Sequence, residues 1–348
     1  MKISVVGLRG FSGVQGGIET HCENLYARLA KTDLNITIYG RKKYRVRDSG
    51  DIKTVWLPCI HNQYLETISY MFFAFLHILL FNKPNIVHIH GIGPALFAPL
   101  FKWIGCKVIL THHGADYKRG KWGFFAKKVL KTGEKIGIKY ANRVIVLNEC
   151  SKKSLSDFYA EKIIVIPNGI ELSERKNNGQ GKFIFAIGRF VKEKGFDDLL
   201  NALPKTIKCI IAGRADHHSK YSWKLAKKAK KLGVELPGFV QDEAKEKLFL
   251  ECGLFIIPSH HEGLPLTLLE AMSYGCRILA SDIPVHREVG LPDECYFPCG
   301  NVKRLADCLN RDLQDSGTDR IADYDDILKE KYDWDKISLK TREVYYAL

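Results

Sequence analysis

Short apolar runs alternate with longer segments of helical periodicity along most of the chain. The apolar runs predict strands, which in the first half cover residues 2–6, 36–39, 54–57, 86–89, 107–111, 144–147 and 163–166. In the second half they cover residues 183–187, 209–212, 254–257 and 277–280. Helical patterns between them include residues 18–29, 94–103, 196–203, 221–232 and 245–251. Strands that alternate with helices predict two doubly wound α/β domains in tandem, with a ligand in the cleft between them.

A turn and a polar segment separate the two halves. Pro167-Asn168-Gly169 predicts a turn, and the segment from Glu174 to Lys182 is polar and contains glycine, as linkers do. The predicted domains therefore cover residues 1–170 and 171–330. Residues 334–346 have a helical pattern, and we expect this tail, within residues 331–348, to pack back toward the N-terminal domain.

The stretch from Leu254 to Ala271 concentrates the candidate chemistry. Its strand ends at Pro258, a loop follows, and Pro265 is well placed as the first residue of a helix. Proline has no N–H and Leu264 cannot cap the helix, so three consecutive residues supply the first free donors: Leu266, Thr267 and Leu268. Free amides at the positive end of a helix dipole predict a phosphate site.

Two glutamates and two basic residues flank this predicted phosphate site. Glu262 precedes the helix and Glu270 lies within it, an arrangement that fits a diphosphate with polyol groups on both sides. The alternative is an ordinary strand–loop–helix whose glutamates face water. Arg189 and Lys194 follow the strand at 183–187 and are placed to contact the diphosphate from the opposite side. Each charge-assisted hydrogen bond to it would contribute about 1.5–3 kcal/mol of binding free energy. The alternative for these two is a solvated basic loop.

A second glycine-rich loop follows the first strand and includes Gly16 and Gly17. Its position favours a nucleotide or phosphate, but its glycines do not form G-x-G-x-x-G, and the second strand ends without an acidic residue for a ribose. NAD binding is therefore disfavoured, although the basic run Arg41, Lys42 and Lys43 leaves NADP open. The structural alternative is a tight turn that packs the helix on the strand.

The net charge of +14 indicates an anionic partner: a nucleotide, a nucleic acid or an acidic membrane surface. Residues 102–153 are rich in Lys and Arg and are interleaved with Trp103, Trp122, Phe124 and Phe125, as expected of an anionic-lipid surface. A solvated basic face is the alternative, and no nucleic-acid-binding module is recognisable.

The apolar run at 70–81 is too short to span a bilayer and predicts a buried helix, with an interfacial segment as the alternative. Ten scattered cysteines without a CxxC pair indicate reduced thiols.

Several histidines raise the question of a metal. His88 and His90 point to the same side of a predicted strand, and adjacent pairs occur at 112–113, 217–218 and 260–261. Adjacent histidines in extended chain point to opposite sides, and no carboxylate or cysteine cluster completes a ligand set. We therefore predict no catalytic metal, assign His88 and His90 to packing, and take His112 as a candidate for a hydrogen bond to substrate.

Taken together, the motifs resemble those of retaining glycosyltransferases with the GT-B fold, family 4. They are GGIETHCENLYARLA, THHGADYKRGKW, VIPNGI, GRFVKEKGFDDLL and HEGLPLTLLEAMSYG. The resemblance covers nearly the whole chain and implies two Rossmann-like domains that face a central cleft. Within the family, two segments are similar to bacterial enzymes that build surface polysaccharides, some of them rhamnosyltransferases.

The resemblance implies a role for each site residue. Arg189 and Lys194 match the pair that holds the donor diphosphate, Glu262 matches the glutamate on the transferred sugar, and Glu270 matches the one that binds the ribose. The remaining matches are Leu266, Thr267 and Leu268 for phosphate and sugar contacts, Gly16 and Gly17 beside donor and acceptor, His112 near the reacting sugar, and Phe239 and Val240 at the base. The pair His260-His261 before Glu262 lies where the family varies.

The implied activity is transfer of a hexosyl or deoxyhexosyl residue from a nucleotide-sugar to a saccharide or lipid-linked oligosaccharide, with retention of anomeric configuration. Neither a metal nor another cofactor is implied. The implied setting is the anionic inner leaflet of the cytoplasmic membrane, with peripheral attachment and no nucleic-acid partner. The alternatives are an NADP-dependent oxidoreductase or epimerase and a non-catalytic protein that binds sugar nucleotides.

Overall fold

The computed structural model describes residues 1–14, 16–45, 52–62, 65–118, 123–155, 159–204, 206–215, 220–314 and 323–348. The chain divides into two compact units. The first unit consists of residues 1–169 and 332–348, and the second of residues 170–331.

The first unit is built on a parallel sheet. Its described strands are β1 (Lys2–Val6), β2 (Asn35–Arg41), β3 (Lys53–Leu57), β4 (Ile86–His90), β5 (Lys107–His112), β6 (Arg143–Val146) and β7 (Ile163–Val165). They lie in the order β3-β2-β1-β4-β5-β6-β7. Val5 pairs with Ile38 on one side and with His88 on the other. The strand order therefore reverses between β1 and β4, the place where parallel α/β sheets open a crevice.

Helices cover both faces of this sheet. They are α1 (Gly17–Leu29), α2 (Glu66–Phe81), α3 (Ala98–Trp103), α4 (Phe124–Tyr140) and α5 (Glu149–Leu155). Alternate strand residues face opposite sides, so the core has two parts: α2, α3 and α4 bury one face of the sheet, and α1 buries the other. Both faces are therefore apolar, as expected of a parallel sheet.

The second unit repeats this plan with fewer strands. Its strands are β8 (Phe183–Ile187), β9 (Lys208–Ala212), β10 (Leu254–Ile257), β11 (Ile278–Asp282) and β12 (Tyr296–Pro298), in the order β12-β11-β10-β8-β9. Its helices are α6 (Phe196–Ala202), α7 (Lys220–Lys231), α8 (Asp242–Glu251), α9 (Leu266–Ser273), α10 (Pro284–Val289), α11 (Val302–Gln314) and α12 (Asp325–Lys331). All pairings are parallel, and the order reverses between β8 and β10.

The C-terminal helix α13 (Trp334–Tyr346) belongs to the first unit and packs beside α1. Its buried side chains include Ile337, Val344 and Tyr345. The Asp333 carboxylate caps it by accepting a hydrogen bond from the Lys336 amide at 2.8 Å. An ion pair of 2.9 Å joins Arg28 of α1 to Asp335, so this helix completes the face that α1 begins.

The predicted pair of parallel α/β domains is confirmed, and the predicted strands agree with the structure to within about two residues at each end. The structure adds elements that the apolar pattern missed: α4, α5, α10, α11, α12 and β12. The helix α4 contains glycines because it packs closely, since a Cβ on Gly133 would lie 2.3 Å from the Ile92 carbonyl oxygen.

The apolar helix α2 is buried on one face only. Tyr70, Met71 and Ile78 are fully buried, whereas Leu80 and Phe81 are 67% and 76% exposed. The prediction of a buried helix is therefore wrong for the opposite face. Among the described residues, no helix is both long and apolar enough to cross a membrane.

The predicted linker from Glu174 to Lys182 is tied to the second unit instead. Asn177 is 2% exposed, and its side-chain amide donates to the carbonyl oxygens of Phe249 at 2.6 Å and Cys252 at 2.8 Å. Its backbone N–H donates to Tyr274 at 2.7 Å. Polar composition suggested a linker, but this buried amide satisfies backbone groups that would otherwise lack partners.

We predict that Asn177→Ala lowers the free energy of unfolding of the second unit by about 2–4 kcal/mol, because two buried carbonyl groups lose their donor. Urea denaturation measures the change. The neighbouring variant Asn178→Ala is the control, since that side chain is exposed and bonds only locally to the Gln180 amide, and its effect should stay within about 0.5 kcal/mol. Equal stability of the two variants would mean that the segment acts as a linker after all.

Candidate active site

The loops that follow β8 and β10 meet at the reversal point of the second sheet. The loop after β8 ends in a short 3₁₀ turn, Lys192–Lys194, and Gly195 closes it with a φ of 65°. A Cβ at Gly195 would lie 1.9 Å from the Pro258 carbonyl oxygen. This position therefore requires glycine, both for its left-handed backbone and for the close approach of the two loops.

A largely buried ion pair joins these loops, with the Lys194 side chain 18% exposed and the Glu262 side chain 9% exposed. The Lys194 Nζ lies 2.6 Å from Glu262 Oε1, and the Ser259 hydroxyl donates to the same carboxylate oxygen at 2.6 Å. Burial alone would raise the pKa of Glu262, but the Lys194 ammonium and the two hydrogen bonds hold that pKa below its ordinary value. Glu262 is therefore a carboxylate at neutral pH, and the alternative in which it simply faces water does not describe this side chain.

Behind this pair lie residues that the sequence analysis did not single out. The Ser281 hydroxyl donates to the Ser259 carbonyl oxygen at 2.5 Å, and His286 Nδ1 donates to the Ser281 carbonyl oxygen at 2.8 Å. Burial lowers the pKa of His286, against the opposing charge of Glu262. These residues support the loop that carries Glu262, and no motif signalled them because they belong to the neighbouring strand and helix.

The start of α9 differs from the prediction. Pro265 has φ −82° and ψ 83°, so it precedes the helix, which begins at Leu266. The Leu266 amide donates to the Leu264 carbonyl at 3.0 Å and the Leu268 amide donates to the Pro265 carbonyl at 2.9 Å. Two of the three amides predicted to be free are thus bonded within the turn, because the non-helical Pro265 turns these carbonyls back toward them. Thr267 lies between them at the helix start.

The other residues of the second unit assigned to the donor lie on α9 and on neighbouring loops. Glu270 accepts a hydrogen bond from Lys245 of α8 at 2.8 Å. Phe239 is 43% exposed, and the Arg214 guanidinium lies over its ring at 5.2 Å from the centroid. Val240 follows Phe239, and Arg189 is partly exposed at the carboxyl end of β8. Lys245 and Arg214 had no sequence signal of their own.

The glycine loop of the first unit is held by an ion pair. Arg9 contacts both carboxylate oxygens of Glu19, with Nε to Oε1 at 3.0 Å and Nη2 to Oε2 at 3.1 Å. Gly16 has a φ of 152°, and a Cβ there would lie 2.0 Å from Glu19 Oε2. Position 16 therefore requires glycine, because of its backbone conformation and because a side chain would collide with Glu19. Gly17 follows it and begins α1.

His112 ends β5 in a buried hydrogen-bonded chain. Its Nε2 lies 2.7 Å from Glu134 Oε1, and its Nδ1 accepts from the Gly114 amide at 3.3 Å. The Tyr117 hydroxyl donates to the other oxygen of Glu134 at 3.1 Å. Both ring nitrogens of His112 therefore have protein partners, so its predicted contact with substrate stays a prediction.

Two residues of the basic run that left NADP open, Arg41 and Lys43, are already paired. Arg41 is buried, and its guanidinium lies 2.6 Å from Glu66, which also accepts from Lys43 at 2.5 Å. This pairing disfavours a phosphate site at these residues. Some residues singled out in the sequence lie outside what the structure describes. They are the pair His217-His218 and, on the basic surface, the Lys118 side chain, Arg119, Lys121 and Trp122.

Two protein-family models match consecutive parts of the chain. The model described as Glycosyltransferase Family 4 matches residues 15–174, and the model described as Glycosyl transferases group 1 matches residues 169–328. The chain is a family 4 glycosyltransferase. The assignment to family 4 is therefore confirmed, whereas retention and the likeness to rhamnosyltransferases stay predictions.

Known proteins similar to this glycosyltransferase agree with that assignment. An uncharacterised glycosyltransferase of Methanocaldococcus jannaschii is 23% identical, over 96% of this chain and 95% of the relative. The gpi3 subunit of phosphatidylinositol N-acetylglucosaminyltransferase from Schizosaccharomyces pombe is 25% identical, over 96% of this chain and 78% of the relative. The structure of Anabaena HepE in complex with UDP and glucose superposes with a TM-score of 0.81 at 16% identity, over 100% of both chains. The predicted GT-B fold class is confirmed by this superposition.

We predict that Lys194→Met lowers the free energy of unfolding of the second unit by about 2–4 kcal/mol, because Glu262 is left as a buried charge without its partner. Burial then raises the pKa of Glu262, so the folded state keeps a proton that the unfolded state has lost. The variant should therefore lose more stability, relative to the unmodified protein, at pH 8 than at pH 5. Urea denaturation at both pH values measures this.

Two further variants serve as controls for that experiment. Lys194→Met combined with Glu262→Gln should recover part of the loss, since the unpaired charge is gone. Lys192→Met, an exposed lysine in the same loop, should cost little at either pH. A loss in Lys194→Met that does not depend on pH would contradict the ion-pair explanation.

Proposed function

We propose that this glycosyltransferase transfers a hexosyl or deoxyhexosyl residue from a nucleotide-sugar to an acceptor hydroxyl, with retention of anomeric configuration. The observation that carries the proposal is the buried Lys194–Glu262 pair on the loops after β8 and β10. A ligand there meets a cation already held in a water-poor site and a carboxylate already ionised and oriented by Ser259. Such preorganised charge is the principal means of stabilising a leaving diphosphate.

In the proposed reaction, Arg189 and Lys194 bind the diphosphate and stabilise the negative charge that develops on it as the glycosidic bond breaks. Lys194 then exchanges part of its contact with Glu262 for phosphate oxygen, which frees Glu262 to accept a hydrogen bond from a hydroxyl of the transferred sugar. The acceptor hydroxyl enters on the face that the diphosphate leaves, bonds to the anomeric carbon and passes its proton to the departing diphosphate oxygen. Protein cations neutralise the leaving group, so the proposal includes no metal or other cofactor.

The proposed donor site extends along the carboxyl edge of the second sheet. Phe239 and Val240 border the base, with Arg214 stacked on the phenyl ring, and Glu270 binds ribose hydroxyls beside Lys245. At the start of α9, Thr267 supplies its backbone amide to phosphate and sugar, whereas Leu266 and Leu268 contribute theirs only by exchanging the bonds they make within the turn. Gly16 and Gly17 belong to the loop that lies close to both donor and acceptor, and His112 lies near the reacting sugar, with its ring held in place by Glu134.

We further propose a lipid-linked acceptor in cell-surface polysaccharide biosynthesis and peripheral attachment to an anionic cytoplasmic membrane face. Exposed apolar side chains of the first unit support this: Phe81 at 76%, Trp103 at 78%, Phe124 at 88% and Phe125 at 77%. Exposed lysines accompany them on α3 and α4, namely Lys102, Lys128, Lys131, Lys135 and Lys139. The S. pombe relative is named for a phosphatidylinositol acceptor, and aromatic and basic residues together suit an anionic interface.

We predict that one nucleoside diphosphate among UDP, GDP, dTDP and ADP stabilises the protein, with NADP⁺ as the comparison. A ligand at about 100 times its dissociation constant adds about 2.7 kcal/mol, a rise of a few degrees in a thermal shift. Arg189→Ala should weaken that binding about tenfold or more and lower transfer from the matching nucleotide-sugar by about 10²–10³. Lys192→Ala, in the same loop, should change neither.

Each outcome of that experiment has a definite meaning. A shift with NADP⁺ alone would overturn the proposal in favour of the oxidoreductase alternative. Nucleotide binding without turnover, across nucleotide-sugars and lipid-linked acceptors, would favour the non-catalytic alternative. Equal behaviour of Arg189→Ala and Lys192→Ala would remove the assignment of the diphosphate site.

We predict that the protein binds vesicles containing anionic lipid and that added salt weakens this binding, because exposed lysines lie within a Debye length of the surface. Trp103→Ser combined with Phe124→Ser should reduce binding at least fivefold in a sedimentation assay. Trp223→Ser is the matched control, since Trp223 is 64% exposed on the lysine-rich helix α7 of the second unit. Equal binding to neutral vesicles at every salt concentration, or equal loss in the control, would contradict the proposed surface.

A further inference from the structure

Three histidines far apart in sequence converge in the first unit, in a cluster that plays no part in the proposed transfer reaction. His21 lies on α1, His90 ends β4, and His113 directly follows β5. One ring nitrogen from each lies within 4.8 Å of the other two. His90 Nδ1 and His113 Nε2 are 2.9 Å apart. The convergence follows from the fold, because parallel β4 and β5 end at the same edge of the sheet.

His21 stands out within this cluster because it is buried without a hydrogen bond of normal geometry. It is 3% exposed, and neither ring nitrogen makes such a bond with the described residues, although the Asn168 side chain interacts with it more weakly. Trp334 closes one side, with ring centroids 5.6 Å apart. Buried polar side chains are normally bonded, so an imidazole that instead points its nitrogen toward two other imidazoles indicates that a ligand completes it.

The surrounding hydrogen bonds hold His90 with one nitrogen facing the cluster. Its Nε2 lies 2.7 Å from the Tyr26 hydroxyl, which in turn lies 2.9 Å from His88 Nδ1. His88 Nε2 is 2.7 Å from the Thr111 hydroxyl. The Tyr345 hydroxyl is also 2.7 Å from His88 Nδ1. When protons are donated from His90 through Tyr26 to His88, His90 Nε2 carries its proton and His90 Nδ1 accepts from His113 Nε2. A metal would take the place of that shared proton, with His113 in its other tautomer. Hydrogen bonds such as that from His90 to Tyr26 are typical of the support behind metal-binding histidines.

We propose that His21, His90 and His113 form a binding site for a divalent transition metal of the zinc type. Neutral imidazole is a ligand for zinc, copper and nickel, whereas magnesium and calcium require oxygen. Three histidine ligands leave a fourth position for water, on the side of His113, which is only partly buried. Zinc at about 2.0–2.1 Å from each nitrogen requires nitrogens about 3.3–3.4 Å apart, so the cluster needs side-chain rotations but no change of fold.

The bound metal would act as a clamp. It would join α1, which begins at Gly17, to the end of β4 and to the loop that starts at His113. No step of sugar transfer uses it, so the site stands or fails independently of the proposed function. Binding of the metal should therefore raise the stability of the first unit against unfolding.

The test uses the full-length protein, stripped of metal with a chelator and then titrated with ZnCl₂ by calorimetry and with CoCl₂ by visible absorption. We expect one zinc per chain, a rise of a few degrees in melting temperature that the chelator reverses, and the intense visible bands of low-coordinate Co²⁺. His113→Gln should weaken zinc binding at least 100-fold. His113 is chosen because it is partly buried, so this variant should fold.

His77→Gln is the matched control. His77 is also partly buried and also hydrogen-bonded, with Nδ1 3.2 Å from the Tyr39 hydroxyl, but it lies outside the cluster. It should bind zinc as the unmodified protein does. The absence of Co²⁺ bands in the unmodified protein would overturn the proposal and would assign a water to His21. Equal zinc binding by His113→Gln and His77→Gln would overturn it as well.

Discussion

The parallel direction of every strand pairing in both sheets is the constraint on which the rest of this structure depends. Parallel strands end at one edge, so each loop that follows a strand arrives beside the loops of its neighbours. In the second unit this brings the loop of Lys194 against the loop of Glu262, although 68 residues separate them. In the first unit it brings His90 and His113 together from the ends of β4 and β5. Both candidate sites are therefore consequences of topology first and of side-chain chemistry second.

The Lys194–Glu262 pair shows what such a site demands of the fold. Two charges removed from water cost several kcal/mol each, and only close geometry with further hydrogen bonds offsets that cost. Ser259 supplies one such bond, and Ser281 holds the Ser259 backbone in turn. Gly195 allows the loops to approach closely enough for the contact to form. Apolar residues could fill the same space at less cost, so stability alone does not account for this pair.

The sequence was most informative where a local pattern decides the structure. The strand Leu254–Ile257 and its end at Pro258 follow from an apolar run and a proline. The positions of Glu262 and Glu270, in the loop and the helix after it, follow from their distance along the chain from this strand. The start of α9 was predicted one residue early because the conformation of Pro265 depends on how Leu264 and its neighbours turn. Asn177 was assigned to a linker because its partners, Phe249 and Cys252, lie more than seventy residues away. Long-range hydrogen bonds of this kind leave no trace in composition.

The histidines of the first unit show the same limit more sharply. His88 and His90 could be placed on one side of a strand, and the prediction that His88 packs is consistent with its bonds to Tyr26, Tyr345 and Thr111. The third member of the cluster could not be found, because His21 lies 69 residues before His90 on a different element. Sequence motifs for metal ligands cover short segments of chain. The distances between these three histidines are instead set by the strand order β1-β4-β5, which brings distant segments together. A buried imidazole without a hydrogen bond of normal geometry is therefore a signal that only a three-dimensional structure can give, and it carries more weight than the number of histidines.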